Sequence, residues 1–561
     1  MAVHPPEIHS LTTSDGVRLD ADVYYPKAKG KFPVLLMRQP YGRAIASTVV
    51  YAHPSWYASQ GYIVVIQDVR GRGTSEGDFQ VFRHETSDGA ETVDWAANLP
   101  RSNGKVGMYG FSYQAMTQLY AAMTQPPALK TIIPAMMGVD LYADWAYEGG
   151  AFCLQNNLGW AIQLGAETAR LRSNTSAYNA LYAASRNLPL HDPIPALPEV
   201  MNQYAEDSFY HDWLQYDTPG SYWERLSPDL RDVDLPMLHI GGWFDPFLRG
   251  NWRLYQEMAA RSQHPQHLYI APWGHLPWGR KVGEKDYGAA ANSSIDSLQI
   301  QWFNHFLKDE PKGTPYALPE NPVTLFELGS NTWKNLSKLP TPPKFSHQPV
   351  DLSKVASAET LETQVYFLAT NGLAAIQENA GKLVLKPEPE TNQDIFVHDP
   401  WRPVPSLGGH AGNAGQCDRS SLDCRTDVLT YTTAPLTADL SLLGVITVEL
   451  FATASTPSFD LSATLSEVDR QGRVYNFTQS YLRIDDPEDL PLTITLQPSC
   501  VQLPAGHSLR LSISGACFPA YPVNDGTGKP IANSHLIDQQ IITITLSSGG
   551  NSPSRILLPR L

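Results

Sequence analysis

The sequence predicts a mainly parallel α/β sheet, broken by an all-helical insertion and followed by an antiparallel β-sandwich. Three observations carry that reading. Short, uninterrupted apolar runs such as Val34-Leu35-Leu36-Met37 and Tyr62-Ile63-Val64-Val65-Ile66 alternate with helical stretches as far as residue 140. Such runs suit central strands covered on both faces. Strand-like runs then vanish between residues 141 and 230, and beyond about residue 350 segments of strict alternation recur between turn clusters.

Taken in order, residues 88–97 are predicted helical, and Lys105-Val106-Gly107-Met108-Tyr109 is a buried strand leading to Ser112. Gln114-Ala115-Met116 opens the next helix, which stops at Pro126-Pro127 because proline cannot continue it. Thr131-Ile132-Ile133 follows as a strand. In the insertion, residues 151–170, 176–186 and 200–214 have helical spacing. Sheet character returns at Pro236-Met237-Leu238-His239-Ile240 and His267-Leu268-Tyr269-Ile270. Ile295, Leu298, Trp302 and Phe306 then mark one face of a helix over 294–308. Residues 310–350, with Leu339-Pro340-Thr341-Pro342-Pro343, read as a linker or crossover. Ile446-Thr447-Val448-Glu449-Leu450 and Leu509-Arg510-Leu511-Ser512-Ile513 alternate as a jelly-roll sandwich requires. The predicted division is 1–140 with 231–345 for the α/β domain, 141–230 for a helical cap, and 346–561 for the sandwich.

A chain of 561 residues needs more than one core. Its hydrophobic content of 42% and charged content of 17% are those of an ordinary globular protein. A net charge of −15 argues against nucleic acid or an anionic membrane as partner. No apolar run is long enough for a transmembrane helix, and Met1-Ala2-Val3-His4-Pro5-Pro6-Glu7 shows no basic segment followed by an apolar core. A cytoplasmic location is therefore expected. Cys153, Cys417, Cys424, Cys500 and Cys517 are odd in number and lack CxxC spacing, so they read as reduced thiols, chiefly core fillers. Cys417 and Cys424 are near enough in sequence for a bridge or a metal pair. No histidine set has metal-ligand spacing, so no metal and no cofactor are expected. Nothing in the chain argues for or against a homo-oligomer.

The chemistry centres on Gly110-Phe111-Ser112-Tyr113, where a strand, a sharp turn and a helix start follow one another. That arrangement lifts a hydroxyl out of a sheet edge. A serine hydroxyl is a poor nucleophile unless a base lies within hydrogen-bond reach and an acid orients that base. Asp245 follows the strand at 236–240 through Gly241-Gly242-Trp243-Phe244, and His275 follows the strand at 267–270 through Ala271-Pro272-Trp273-Gly274. Serine, acid, histidine is the chain order of the α/β-hydrolase triad, each member in a loop at a strand's C-terminal end. The predicted fold class is thus an α/β hydrolase with a helical cap insertion and a C-terminal β-sandwich (jelly roll). The backbone N–H of Tyr113, the residue after the nucleophile, is the expected first oxyanion donor. The second should come from the loop after residues 34–37. There Tyr41 either offers its hydroxyl or packs beneath the loop.

Several motifs together resemble the cocaine esterase family, part of a wider group with X-prolyl dipeptidyl peptidases and α-amino acid ester hydrolases. They are Arg38-Gln39-Pro40-Tyr41, Gln67-Asp68-Val69-Arg70-Gly71, Ser75-Glu76-Gly77, Gly110-Phe111-Ser112-Tyr113, Gly242-Trp243-Phe244-Asp245 and Pro272-Trp273-Gly274-His275. The likeness continues in Asp399-Pro400-Trp401-Arg402-Pro403-Val404-Pro405-Ser406-Leu407-Gly408-Gly409 and Phe459-Asp460-Leu461-Ser462-Ala463. The resemblance implies Ser112 as nucleophile, His275 as base, Asp245 as orienting acid, and Tyr41 with the Tyr113 N–H as oxyanion hole. The family's glycine three residues after the serine is Ala115 here. Relatives that bind α-amino acyl groups carry an acidic pair shortly after the aspartate, whereas this chain reads Pro246-Phe247-Leu248. A neutral or aromatic acyl group is therefore expected.

Trp145, Phe152, Trp160 and Trp243 could line an aromatic pocket or pack as core between cap and sheet. Asp144 and Glu148 either contact a polar substrate or, as the favoured reading, are solvated surface positions, and Arg70, Arg72 and Glu76 read as a structural charge network under the sheet edge. The expected activity is hydrolysis of small-molecule carboxylic esters through an acyl-enzyme. An acylase, amidase or X-prolyl dipeptidyl-peptidase-like activity is the rival within enzymes, and a non-catalytic carbohydrate-binding protein the rival outside them.

Overall fold

The computed structural model describes residues 1–44, 46–308, 317–340, 362–485 and 490–561. Ten strands form the first sheet, in the spatial order Glu7–Thr12, Arg18–Tyr24, Ile63–Asp68, Phe32–Gln39, Ser102–Phe111, Leu129–Ala135, Met237–Phe244, Gln266–Gly274, Val323–Glu327 and Thr332–Leu336. The pairings from Ile63–Asp68 through Val323–Glu327 are all parallel, and antiparallel strands cap both edges.

Strand side chains alternate between faces, so the uninterrupted apolar runs feed two cores at once. Val34, Leu36, Ile63 and Val65 join the core that holds the helices Glu85–Ala97 and Tyr113–Met123. Leu35, Met37, Val64 and Ile66 join Tyr57, Trp302 and Phe303 on the other face. The helix at Ile295–Leu307 supplies the last two rings.

The insertion is helical, as expected, with helices Leu154–Leu171, Thr175–Arg186, Glu199–Tyr204, Phe209–Gln215 and Ser221–Leu226. Two details differ from the sequence reading. The helix predicted over 200–214 is broken, and Ser208 restarts it by accepting a hydrogen bond from Tyr210 N–H at 3.3 Å. The helix predicted from residue 151 begins at Leu154, because a short hairpin pairs Tyr147–Glu148 with Ala151–Phe152. Its turn, Gly149-Gly150, has φ of +52° and +79°. A Cβ on Gly149 would lie 2.1 Å from the Tyr481 carbonyl oxygen, so glycine is required where the hairpin docks on the C-terminal domain. Arg483 N–H donates to the Gly149 carbonyl across the same contact at 2.8 Å.

Residues 323–336, read from sequence as part of a linker, complete the first sheet instead. The predicted boundary at 345/346 lies outside the described residues. Beyond it, thirteen strands among the described residues form one mostly antiparallel network. This β domain is stitched to the first sheet by Leu328 N–H to the Cys500 carbonyl at 2.9 Å and Gln502 N–H to the Leu328 carbonyl at 2.8 Å. All five cysteines are free thiols; Cys424 is exposed and the other four are buried. No described helix is long and apolar enough to cross a membrane.

Candidate active site

Ser112 sits between the strand Ser102–Phe111 and the helix Tyr113–Met123 with φ +59° and ψ −125°. That backbone conformation is costly for a non-glycine residue and persists only where its surroundings hold it. Here Ser112 N–H donates to the Ala135 carbonyl at 2.9 Å, and the Ser112 carbonyl accepts from Ala115 and Met116 N–H at 2.9 and 3.1 Å. Gly110 makes room for the turn, since a Cβ there would sit 2.4 Å from Gln114 Cβ. Ala115 is fully buried in the first helical turn and leaves the turn intact.

The Tyr113 main-chain N–H is at the first position of the helix, where the helix itself supplies no acceptor. The Tyr113 side chain points away and is pinned: its hydroxyl donates to Glu85 at 2.8 Å and accepts from Phe82 N–H at 3.3 Å. Glu85 in turn holds the buried Arg38 guanidinium at 2.6 Å. Arg38 Nε donates to Gln67 Oε1 at 2.7 Å, tying the first two motifs to the serine turn.

Asp245 ends the strand Met237–Phe244 and is fully buried. Its Oδ1 faces His275 Nδ1 at 3.1 Å and accepts from Phe247 N–H at 3.2 Å. The strand ends carrying Asp245 and His275 approach closely because Gly242 lacks a side chain. A Cβ there would lie 2.3 Å from the Trp273 carbonyl oxygen. The His275 ring is held between Phe247 and Phe111, at centroid distances of 5.1 and 5.4 Å. From the β domain, Gln497 Nε2 donates to the Asp245 carbonyl at 3.1 Å.

Ser112, His275 and Tyr41 line one cavity of about 620 Å³, a size suited to a small organic ligand. Tyr41 Oη accepts the Trp160 indole N–H at 3.1 Å and lines the same cavity as Ser112. Burial pushes the Tyr41 phenol up to about 12, so it remains a proton donor at neutral pH.

Of the four aromatic candidates, Trp145 and Trp160 line this cavity and meet at a tilt, with ring centroids 5.5 Å apart. Phe247 packs on Trp145 at 4.2 Å. The other two are placed elsewhere. Phe152 is buried against Tyr147 and Tyr210 inside the cap. Trp243 turns its indole N–H to the Phe326 carbonyl at 2.6 Å, on the opposite side of the strand from Phe244, which does line the cavity.

Asp144 and Glu148 are not solvated; both are buried. Asp144 accepts Val139 and Asp140 N–H at 3.0 and 2.9 Å and pairs with Arg253. Glu148 is held by Arg249, His410, Ser480 and Tyr521 at 2.7 to 3.0 Å. His410, from the β domain, lines the catalytic cavity together with Asn413 and Ala414. Sequence reasoning missed this wall; its signal was the glycine-rich run Gly408-Gly409-His410-Ala411-Gly412. Among the described residues, no three His, Cys, Asp or Glu side chains gather as a metal would require.

Comparison with known proteins places the chain in a family. Residues 15–277 match the X-Pro dipeptidyl-peptidase (S15 family) model, and residues 318–557 match that of the X-Pro dipeptidyl-peptidase C-terminal non-catalytic domain. Cocaine esterase from Rhodococcus sp. (strain MB1 Bresler) is 30% identical across 97% of this chain and 96% of its own. Among solved structures, an aminopeptidase from a marine sediment Thaumarchaeota archaeon has a TM-score of 0.79 at 22% identity, covering 99% of this chain and 96% of its own. An α-amino acid ester hydrolase has a TM-score of 0.76 at 22% identity, covering 100% and 97%. These two likenesses speak to the fold, and the full-length sequence identity to cocaine esterase speaks to descent. The chain belongs to the family of serine hydrolases that joins cocaine esterase to the S15 X-Pro dipeptidyl peptidases.

Proposed function

We propose that the chain hydrolyses carboxylic esters with a neutral or aromatic acyl group, through an acyl-enzyme on Ser112. The observation that carries this reading is the meeting, at one cavity, of the Ser112 turn, the His275–Asp245 pair and Tyr41. Ser112 Oγ attacks the ester carbonyl as His275 Nε2 takes its proton. The Tyr113 N–H and the Tyr41 hydroxyl hold the oxygen as it becomes negative. The Trp160 indole occupies a lone pair of the Tyr41 oxygen, which leaves the phenolic hydrogen to be donated to the substrate. His275 then gives its proton to the departing alcohol, which breaks the C–O bond. It next takes a proton from water as the hydroxide so formed attacks the acyl carbon, and it returns that proton to Ser112 Oγ as the acyl C–Oγ bond breaks and the carboxylic acid is released. Asp245 fixes the imidazole tautomer and stabilises the imidazolium throughout.

The acyl preference is supported by the walls. Trp145, Trp160 and Phe247 are apolar, the loop after Asp245 supplies no carboxylate, and Glu148 is already held by four donors. A fluorophosphonate probe on the full chain, with peptide mapping, is expected to label Ser112; labelling of another residue refutes the assignment. Matched aryl esters and anilides set the ester reading against the amidase one. Higher kcat/KM on the esters is expected, and faster anilide cleavage reverses it. Tyr41→Phe is expected to lower kcat by about 100- to 1000-fold with little change in KM, because the phenol acts on the oxyanion rather than on the ground-state ester. A change of less than about threefold removes Tyr41 from the oxyanion hole.

A further inference from the structure

Arg72 differs from the other buried arginines. Arg38 contacts Glu85, Arg70 contacts Asp15 and Asp88, and Arg419 and Arg510 contact Asp423. Arg72 is 1% exposed, yet no carboxylate among the described residues forms an ion pair with it. Its Nη1 donates to the Leu164 carbonyl at 3.3 Å, its guanidinium carbon lies 3.8 Å from the Phe79 ring centroid, and its Nε has no partner. Glu167 acts on it only at a distance, being engaged by Arg170 at 2.7 Å. The three residues expected to form one charge network therefore do not: Arg70 pairs with Asp15 and Asp88, the exposed Glu76 pairs with Arg18, and Arg72 has no carboxylate partner among the described residues. A buried cation without a counter-charge is expensive.

Arg72 lines a second cavity, of about 660 Å³, that shares no lining residue with the catalytic one. It lies between the turn at residues 71–81 and the cap helices Leu154–Leu171 and Phe209–Gln215. Of its other charges, Arg172 pairs with Asp207 at 2.7 Å and Arg83 with Asp212 at 3.7 Å, while the carboxylates of Asp78 and Glu206 are exposed to solvent. Its walls include Phe79, Phe209, Trp213 and Tyr222. We propose that this cavity binds an aromatic carboxylate, whose anionic group pairs with Arg72 and whose ring rests on the aromatic wall. A guanidinium edge matches a carboxylate in shape as well as charge. Phosphate or sulfate would satisfy the charge but leave the aromatic wall unused.

The test uses full-length Ser112→Ala protein, so that no hydrolysis occurs during the measurement. Thermal melts are recorded against benzoate, acetate and phosphate, with chloride holding ionic strength constant. Benzoate is expected to raise the melting temperature saturably, by about 1–3 °C at a hundredfold excess over its Kd. Acetate should do so more weakly, and phosphate should match chloride. Adding Arg72→Gln should abolish the benzoate response. Thr168→Phe, which fills the cavity from the Leu164-bearing helix without removing the charge, should abolish it independently and covers the case in which Arg72→Gln does not fold. A benzoate response that survives both variants places the ligand elsewhere and overturns the proposal. Equal stabilisation by phosphate, or no saturable response to benzoate, overturns it too.

Discussion

Replacing Ser112 by alanine is expected to lower kcat on an aryl ester by about four to six decades, with KM nearly unchanged. The size of the loss follows from the mechanism, since without the hydroxyl no acyl-enzyme forms. The imidazole can then only activate water, and the oxyanion donors and binding walls supply the rest. Alanine has no lower cost than serine at φ +59°, and the three main-chain bonds of residue 112 do not involve the hydroxyl. The variant should therefore fold as the parent does, which circular dichroism and an unchanged melting temperature would confirm. The informative readout is steady-state turnover beside fluorophosphonate labelling. Turnover within tenfold of the parent, with intact labelling of another serine, would end the case for Ser112.

The second large effect concerns stability. Glu148 sits where cap, sheet and β domain meet. Its carboxylate holds Arg249 from the helix Leu248–Arg261 at 3.0 Å, and His410, Ser480 and Tyr521 from the β domain at 2.9, 2.9 and 2.7 Å. Glu148→Ala leaves the part-buried Arg249 guanidinium with main-chain acceptors only, and the buried His410, Ser480 and Tyr521 donors without their acceptor, so a loss of about 3 kcal/mol is expected. Burial by itself would raise this carboxyl's pKa. The His410 and Arg249 charges outweigh burial, and the group lies well below its ordinary value of 4.5. The sign follows by linkage: a carboxyl whose folded pKa is depressed stabilises the fold above its unfolded value, and that stability drains away as pH falls below it. The difference in melting temperature between parent and Glu148→Gln should thus be full at pH 7 and shrink between about pH 4.5 and 3. A difference that is constant with pH, or smaller than about 1 °C at pH 7, would show that the four-donor cluster is not what secures the interface.

Much of the site was legible because its parts are local. A nucleophile turn is a strand, a small-residue bend and a helix start within a dozen residues, and Gly110 to Ala115 writes that out in order. The strand ends bearing Asp245 and His275 are legible for the same reason, and their order along the chain narrows the pairing. The errors share a cause. Asp144 and Glu148 looked solvated because their neighbours in sequence are mixed, but Arg253, Arg249, His410 and Tyr521 come from far along the chain. Trp243 and Phe152 were read as large apolar residues near the site, and such residues are buried wherever they fall. Which cavity or core receives them is set by the pleat of a strand and the twist of a hairpin.

By itself, then, the sequence determined the fold class, the insertion, the serine turn and the strand ends at which Asp245 and His275 fall, since local periodicity and chain order encode these. Only the tertiary structure decided that the β domain closes the catalytic cavity through His410, that Glu148 fastens three layers together, and that Arg72 is buried without a carboxylate. Those facts depend on distances between segments remote in sequence, and no pattern within one segment reports what a distant one will place beside it.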